Sequence, residues 1–384
     1  MKILFILMIA GLFFIKNKTI NFKTDLFLIL FFLTGIISHL SHLYFGGVLI
    51  FIFEFLPTIL LYYLLESILN SEEKIVLYLK FVVGFAAILA LHGILQFYNN
   101  GIGWSGQTFT KGTTRIRYVG IFSDPNDLSL FFNMVIPFIV YYYIKTNKRI
   151  LKLFNLILLA GFIYAIYLTQ SRGALIGLYI MINYFIWKKY GLKQVVLINL
   201  ITLPLLLTFK GRMTDIDPEE DSAYGRIEAW YEGFQMLKSY PLFGVGPGMF
   251  TEYHFRTAHN SFVLALAETG LAGYYFWIGS LYYSFIDLKN SLSFKLSIYD
   301  EEKDDLDFYL QISMIGFLAS AFFLSRTYTV ILYILLGLIA AKTNVLQKEM
   351  VTFINEDSKI NLIKISGLMF SSIFIILLIY KFSL

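Results

Sequence analysis

The sequence predicts an all-α, polytopic integral membrane protein with about 12 transmembrane helices and one larger outer loop that contains an amphipathic helix. Three observations predict it. Of 384 residues, 58% are hydrophobic and 15% are charged, where soluble domains carry roughly 45–50% and 25%. The apolar residues are gathered into runs near the roughly 20 residues that a bilayer crossing needs. Lys and Arg cluster in short segments between those runs, which sets membrane topology and is not the footprint of a nucleic-acid binder; the net charge is a small +5.

In chain order, apolar runs bounded by polar breaks give candidate helices at 2 to 15, 25 to 40, 44 to 69, 75 to 98, 127 to 144, 150 to 170, 173 to 187, 194 to 209, 260 to 286, 308 to 325, 328 to 341 and 361 to 380. The first has only Lys2 before it and no small-residue cleavage site after it, so it reads as a retained span and not as a signal peptide. The stretch from 150 to 187 must break near its middle, because one helix of that length would measure roughly 55 Å against a hydrocarbon core of about 30 Å. Ser171-Arg172-Gly173 supplies the break. The organisation is then N-terminal spans over 1–209 with an outer loop at 99–126, a large outer loop over 210–258, and C-terminal spans over 259–384. No 20 to 50 residue repeat is visible. The charged run Asp300 to Asp305 reads as a solvated cytoplasmic loop.

Orientation follows from the basic connections. Lys145, Lys148, Arg149 and Lys152 form one cluster and Lys188, Lys189 and Lys193 another, two spans apart, so both fit the cytoplasm. Arg172 then faces outward. By parity Lys16, Lys18, Lys23, Lys289, Lys295, Lys303 and Lys342 fall inside, the two long polar stretches fall outside, and both termini are outside.

The absence of Cys removes disulfides, thiol nucleophiles, Cys-ligated zinc and iron–sulfur ligation, leaving His, carboxylates, Arg, Lys and hydroxyls for any chemistry. The loop over 210–258 is too long for a plain connection and too apolar for disorder. Ile227, Trp230, Tyr231, Phe234 and Leu237 recur at helical spacing, which predicts an amphipathic helix at the membrane interface, ended by Pro241. Pro241 to Gly248 resembles a phosphate loop only superficially, since no strand precedes it and Pro247 has no N–H to offer; it reads as a tight turn that returns the chain to the membrane. His259-Asn260 then opens the ninth span. On a continuous helix Gly270 and Gly273 share the face of His259 about 16 Å deeper, where they would permit close helix packing.

A lone His at an interface is ordinarily a hydrogen-bonded cap; here Arg172, Arg226, Arg115 and Arg117 all fall on its side of the membrane. Each Arg alone reads as a snorkelling or headgroup-binding cation, but together they suit an anionic substrate. Guanidinium forks fit phosphate oxygens and would stabilise charge on a departing lipid-linked pyrophosphate without a metal or cofactor. His259 would accept the proton of an attacking sugar hydroxyl. Within the spans, Glu54 and His92 are the conspicuous ionisable residues, each with a structural or a functional role open to it. Glu268 lies opposite His259 on a continuous helix and is not paired with it.

Three blocks resemble the O-antigen ligase and polymerase superfamily of membrane glycosyltransferases: YVGIFSDPNDLSLFF, LTQSRGALIGL, and GRIEAWYEGFQMLKSYPLFGVGPGMF followed by AHNSFVLALAETGLAG. In the last, His259-Asn260, nine residues, Gly270, two residues and Gly273 fit the ligase pattern of His, then Asn, Ser or Gln, nine residues, Gly, two residues, and Gly, Thr or Tyr. The resemblance implies a GT-C type helical fold in the bacterial inner membrane, with the active site on its periplasmic or outer face. It implies transfer of a glycan from an undecaprenyl-diphosphate carrier to another glycan or to lipid A-core. In that likeness His259, Arg226 and Arg172 are catalytic, Arg115, Arg117 and Asn260 bind substrate, and no metal takes part. The alternative class is a transporter or flippase of lipid-linked saccharides; against it stand the charges gathered at one face and the lack of a repeat.

Overall fold

The computed structural model describes residues 21–99, 101–103, 115–117, 122, 124–208, 223–299, 306–349 and 360–383. Its helices are α1 (Phe22–Ser41), α2 (Phe45–Ile68), α3 (Glu72–Tyr98), α4 (Pro125–Lys145), α5 (Arg149–Thr169), α6 (Arg172–Tyr190), α7 (Leu192–Thr208), α8 (Ala223–Ser239), α9 (Phe250–Tyr253), α10 (Ser261–Tyr299), α11 (Leu306–Ala321), α12 (Val330–Glu349) and α13 (Leu362–Ser383). The chain is an all-α, multi-pass membrane protein. Every apolar run expected from residue 25 onward falls on a helix, while the run at 2 to 15 and the charged segment at 300 to 305 lie outside the described residues. By length and composition, 7 of the described helices reach spanning size. That is fewer than the sequence suggested: the run at 2 to 15 lies outside the described residues, and α6 is helical but not among the seven. The runs at 194 to 209, 308 to 325 and 328 to 341 give apolar helical stretches whose described parts are 10–17 residues long.

The described residues fall into two compact units, one drawn from within 1–75, 221–291 and 322–384 and the other from within 76–220 and 292–321. In the first unit α2 packs along α12, and a Cβ on Gly337 would lie 3.1 Å from the Tyr62 carbonyl oxygen. One end of this unit carries a polar network: Glu66 Oε1 accepts from the Asn21 amide and from Asn344 Nδ2, each at 2.7 Å, and Tyr62 donates to Asp25 at 2.7 Å. Burial without partners would be costly for these carboxylates, and the network supplies hydrogen bonds to Glu66 Oε1 and Asp25 Oδ1.

The most consequential feature of the first unit is the break inside α10. Gly270 has φ 63° and ψ −168°, a backbone region essentially restricted to glycine. The break frees backbone groups on both sides, and the segment 241–246 satisfies them. Ala267 O accepts from Val245 N at 3.0 Å, and Glu268 O accepts from Gly246 N at 2.9 Å. Beyond the break, Leu271 N donates to Pro241 O at 2.9 Å and Ala272 N donates to Leu242 O at 3.1 Å. This corrects the expectation of a continuous span in which Gly270 serves helix packing below His259. The segment read as a turn back to the membrane is instead docked into a helix break.

In the second unit α4 is buried nearly all round and packs on α5, α6 and α11. Asn133 Nδ2 donates to Ala174 O at 2.7 Å and to Ser320 Oγ at 3.0 Å, and Ser313 Oγ donates to Met134 O at 2.6 Å. Such side-chain bonds between closely packed helices are how apolar spans associate where lipid removes the hydrophobic drive.

Candidate functional site

In the first unit the residues around His259 are held from three directions. His259 itself is not part of a helix: its φ of 46° is left-handed, a conformation uncommon outside glycine and worth explaining where it occurs. The residue that opens α10 is Asn260, whose Oδ1 accepts from Phe262 N at 2.9 Å and from Val263 N at 3.3 Å. Asn260 is therefore the N-cap, fully buried, with its Nδ2 meeting no hydrogen-bond partner. The cap bonds at the start of α10 are thus made by Asn260, the residue after His259.

From a second side comes α8. Trp230 Nε1 donates to Ala258 O at 3.1 Å, the carbonyl next to His259. Gly233, on the same face, brings α8 against α10, since a Cβ there would lie 2.6 Å from Val263 Cγ1. Arg226 stands one turn before Trp230 on that face, so the α8 surface that reaches the His259 segment carries the arginine with it. The helix expected at 226 to 237 is present, but its buried stripe is Ala229, Trp230, Gly233 and Met236, while Tyr231 is exposed and stacks on Tyr380 of α13 at 6.0 Å. The stripe packs in a core with Val263, Leu264 and Ala267 of α10.

The third direction is the turn before α12. Ser261 Oγ donates to Leu324 O at 2.5 Å and accepts from Arg326 N at 2.8 Å, and Thr327 Oγ1 donates to Ser261 O at 2.7 Å. Arg326 is thus bonded through its backbone to the first residue of α10. Sequence reasoning did not single it out. The signal was available, because Ser325-Arg326-Thr327 interrupts two apolar runs and helix parity places it on the side of Arg172.

Glu268, expected to be unrelated to His259, is buried, and its Oε1 accepts from Phe250 N at 3.2 Å, fixing α9 and with it the start of the strap that leads to His259. Glu54 lies on the wall of a cavity of this unit, described below.

In the second unit Arg115 bonds to the end of α5, Arg172 opens α6 at the same break, and Arg117 lies two residues along the chain from Arg115. Gln170 ends α5 in the left-handed region (φ 52°, ψ 33°), Ser171 caps α6 by accepting from Ala174 N at 3.3 Å, and Arg172 is the first helical residue. Arg115 Nε donates to Thr169 O at 2.8 Å and its terminal nitrogen donates to Asn126 Oδ1 at 3.0 Å. Asn126 is held in turn by the capping carboxylate of Asp124, which accepts from both its amide and its Nδ2 at 2.9 Å. Arg115 is accordingly a brace between the start of α4 and the end of α5 as well as a cation. Arg172 has no acidic residue beside it in the first turn of α6, so the positive helix end and the guanidinium reinforce one another, a combination suited to an anion. His92 is buried in α3 of the same unit. Among the described residues no group of three or more His, Asp or Glu is arranged to hold a metal ion.

These features define a class: a multi-pass helical membrane protein that presents arginine and histidine at helix ends, on segments tied down by backbone hydrogen bonds. Residues 154–278 match the O-antigen ligase family model, so this part of the chain is similar to that family. The matched segment contains Arg172, Arg226, His259 and Asn260. No curated protein sequence matches the chain.

Proposed function

We propose that the protein is a metal-independent glycosyltransferase that moves a glycan from an undecaprenyl-diphosphate carrier onto a hydroxyl of a glycan or lipid A-core acceptor. It would act in a bacterial inner membrane, from the periplasmic or outer face, in O-antigen or other surface polysaccharide assembly. A GT-C type arrangement with spans beyond the seven long ones, and with α8 at the interface, belongs to the same reading. The observation that carries it is the seat of His259: a left-handed residue outside its helix, with the cap duty taken by Asn260 and the neighbouring carbonyl anchored by Trp230. Strained backbone held this firmly clusters at functional sites.

In the reaction the acceptor oxygen attacks the anomeric carbon as its proton passes to the His259 imidazole. The bond from that carbon to the phosphate oxygen breaks, and the carrier diphosphate leaves with the electron pair. Arg226 meets the growing negative charge, and Arg172 carries the same role by its likeness to the family's arginine. Arg115, Arg117 and Asn260 complete the substrate contacts, with Arg115 also bracing its turn.

Transfer by purified protein from a carrier-linked glycan tests the assignment. His259→Ala should lower the rate by about 10²–10⁴-fold, the range of a general base, with unchanged membrane insertion; transfer at the wild-type rate removes His259 from the mechanism. Arg226→Lys keeps the charge and loses the fork, so a bidentate phosphate contact predicts a clear fall in activity. Wild-type activity in that variant would reduce Arg226 to a generic cation.

A further inference from the structure

The first unit holds a cavity of about 470 Å³ whose walls include Glu54, Glu252, His39, Tyr44, Phe51 and Tyr328, with the Pro247–Met249 turn as its backbone edge. We propose that this cavity binds a neutral saccharide, and that it is the subsite for the acceptor sugar of the transfer reaction; the second half rests on the function proposed above.

The lining selects the ligand class. Neither Lys nor Arg contributes to the wall, while two carboxylates do, so a diphosphate or other anion would meet repulsion. A prenyl or acyl chain would bury those carboxylates against hydrocarbon, which is costly. A metal ion is disfavoured because Glu54, Glu252 and His39 do not form a group arranged to hold one. What remains is a molecule with many hydroxyl donors and apolar C–H faces. Carboxylates accept hydrogen bonds only, and sugar hydroxyls supply donors in adjacent pairs. Phe51 and Tyr328, ring centroids 6.0 Å apart and inclined at 78°, offer aromatic faces and edges to a pyranose ring. His39 is 2% exposed and its Nε2 meets no hydrogen-bond partner, a buried polar atom at the wall that a ligand hydroxyl would satisfy. The volume falls in the range of small-molecule sites, about 300–1,000 Å³.

Position connects the cavity to His259. Glu252 belongs to α9, from which the strap 254–258 runs directly into His259, and Tyr328 follows the Arg326–Thr327 turn that is bonded to Ser261. The elements that hold His259 thus also form two sides of the cavity. Glu54, which the sequence singled out as an ionisable residue in an apolar run, acquires a role there.

Saturation-transfer NMR on the full chain in nanodiscs tests this, with glucose, galactose, rhamnose, N-acetylglucosamine and glucosamine as probes. At least one neutral sugar should give a signal that persists with excess sodium pyrophosphate and in His259→Ala, and that falls at least about tenfold in Glu252→Gln and Glu54→Gln. Both replacements are near-isosteric, so folding is preserved; Phe51→Ala removes an aromatic wall as an independent check. Binding of glucosamine alone, loss of signal to pyrophosphate, or a signal indifferent to all three variants would overturn the proposal. In the transfer assay Glu252→Gln should raise the acceptor KM and leave the donor KM unchanged. Sugar binding without transfer would support the cavity and end the transferase reading; transfer without sugar binding would do the reverse.

Discussion

The chain breaks between α5 and α6 and again inside α10, and the two breaks satisfy their freed backbone groups by different means. At the first, most of the partners are near neighbours: Gln170 N donates to Tyr167 O at 3.0 Å, and Ser171 caps the helix that follows. Residues 115 and 116 add two donors, to Thr169 O and Leu168 O. At the second, four backbone bonds come from the segment 241–246, and Ser38 donates to Glu268 O at 3.1 Å. A break capped mainly from within can form as soon as its own turn forms. A break closed by a distant segment exists only once that segment has docked, so it couples the loop before His259 to the helix after it.

The largest expected effect follows from that coupling. A Cβ on Gly270 would lie 2.4 Å from the Leu242 carbonyl carbon and oxygen, both backbone atoms that cannot swing aside. Gly270→Ala should cost ~1–3 kcal/mol in strained backbone and a further ~1–3 kcal/mol in overpacking, read as a large drop in the thermal midpoint of the purified protein. Gly244→Ala should behave alike, since its Cβ would meet the Glu268 carbonyl carbon at 2.4 Å with φ at 69°. A wild-type midpoint in both variants would show that the docked segment is dispensable, and the contrast between the breaks would collapse.

Next in size is Arg115→Lys. Arg115 spends donors on Thr169 O and Asn126 Oδ1; the single amine of Lys can keep one of these, and losing the other costs about 1.5–3 kcal/mol, the contribution of a hydrogen bond to a charged group. Loss of stability together with activity would mark it as a brace for the first break; loss of activity at full stability would mark it as a substrate contact alone.

The same contrast explains what the sequence could disclose. Apolar runs and basic connections disclosed the helices from residue 25 onward, and Ser171-Arg172-Gly173 disclosed the first break because its cap residue sits in the break itself. The second break was hidden: residues 261 to 292 are apolar enough to span a membrane, and helical periodicity carries no record of a loop that will insert. Gly270 was visible as a glycine, and its motif spacing marked it, but its backbone conformation depends on Leu242 and Phe243, far off in the sequence. The candidate site divides in the same way. His259, Arg226 and Arg172 stood out by residue type and by likeness to a family. Asn260 as the cap, Arg326 bonded to Ser261, and the cavity around Glu54 depend on contacts between α1, α2, the 241–252 segment and the 324–328 turn, which no local pattern records.

The smallest effect sharpens the comparison from the other side. Ser171→Ala removes the oxygen that accepts from Ala174 N, a loss worth ~1 kcal/mol for a helix cap. The α5–α6 break should nevertheless persist, because Gln170 keeps its bond to Tyr167 O and residues 115 and 116 still hold the end of α5. The thermal midpoint should fall slightly, with helical circular dichroism unchanged. If this replacement instead disturbs the protein as much as Gly270→Ala, the first break is as cooperative as the second. Arg172, at the head of α6, would then be positioned by the whole unit and not by its own turn.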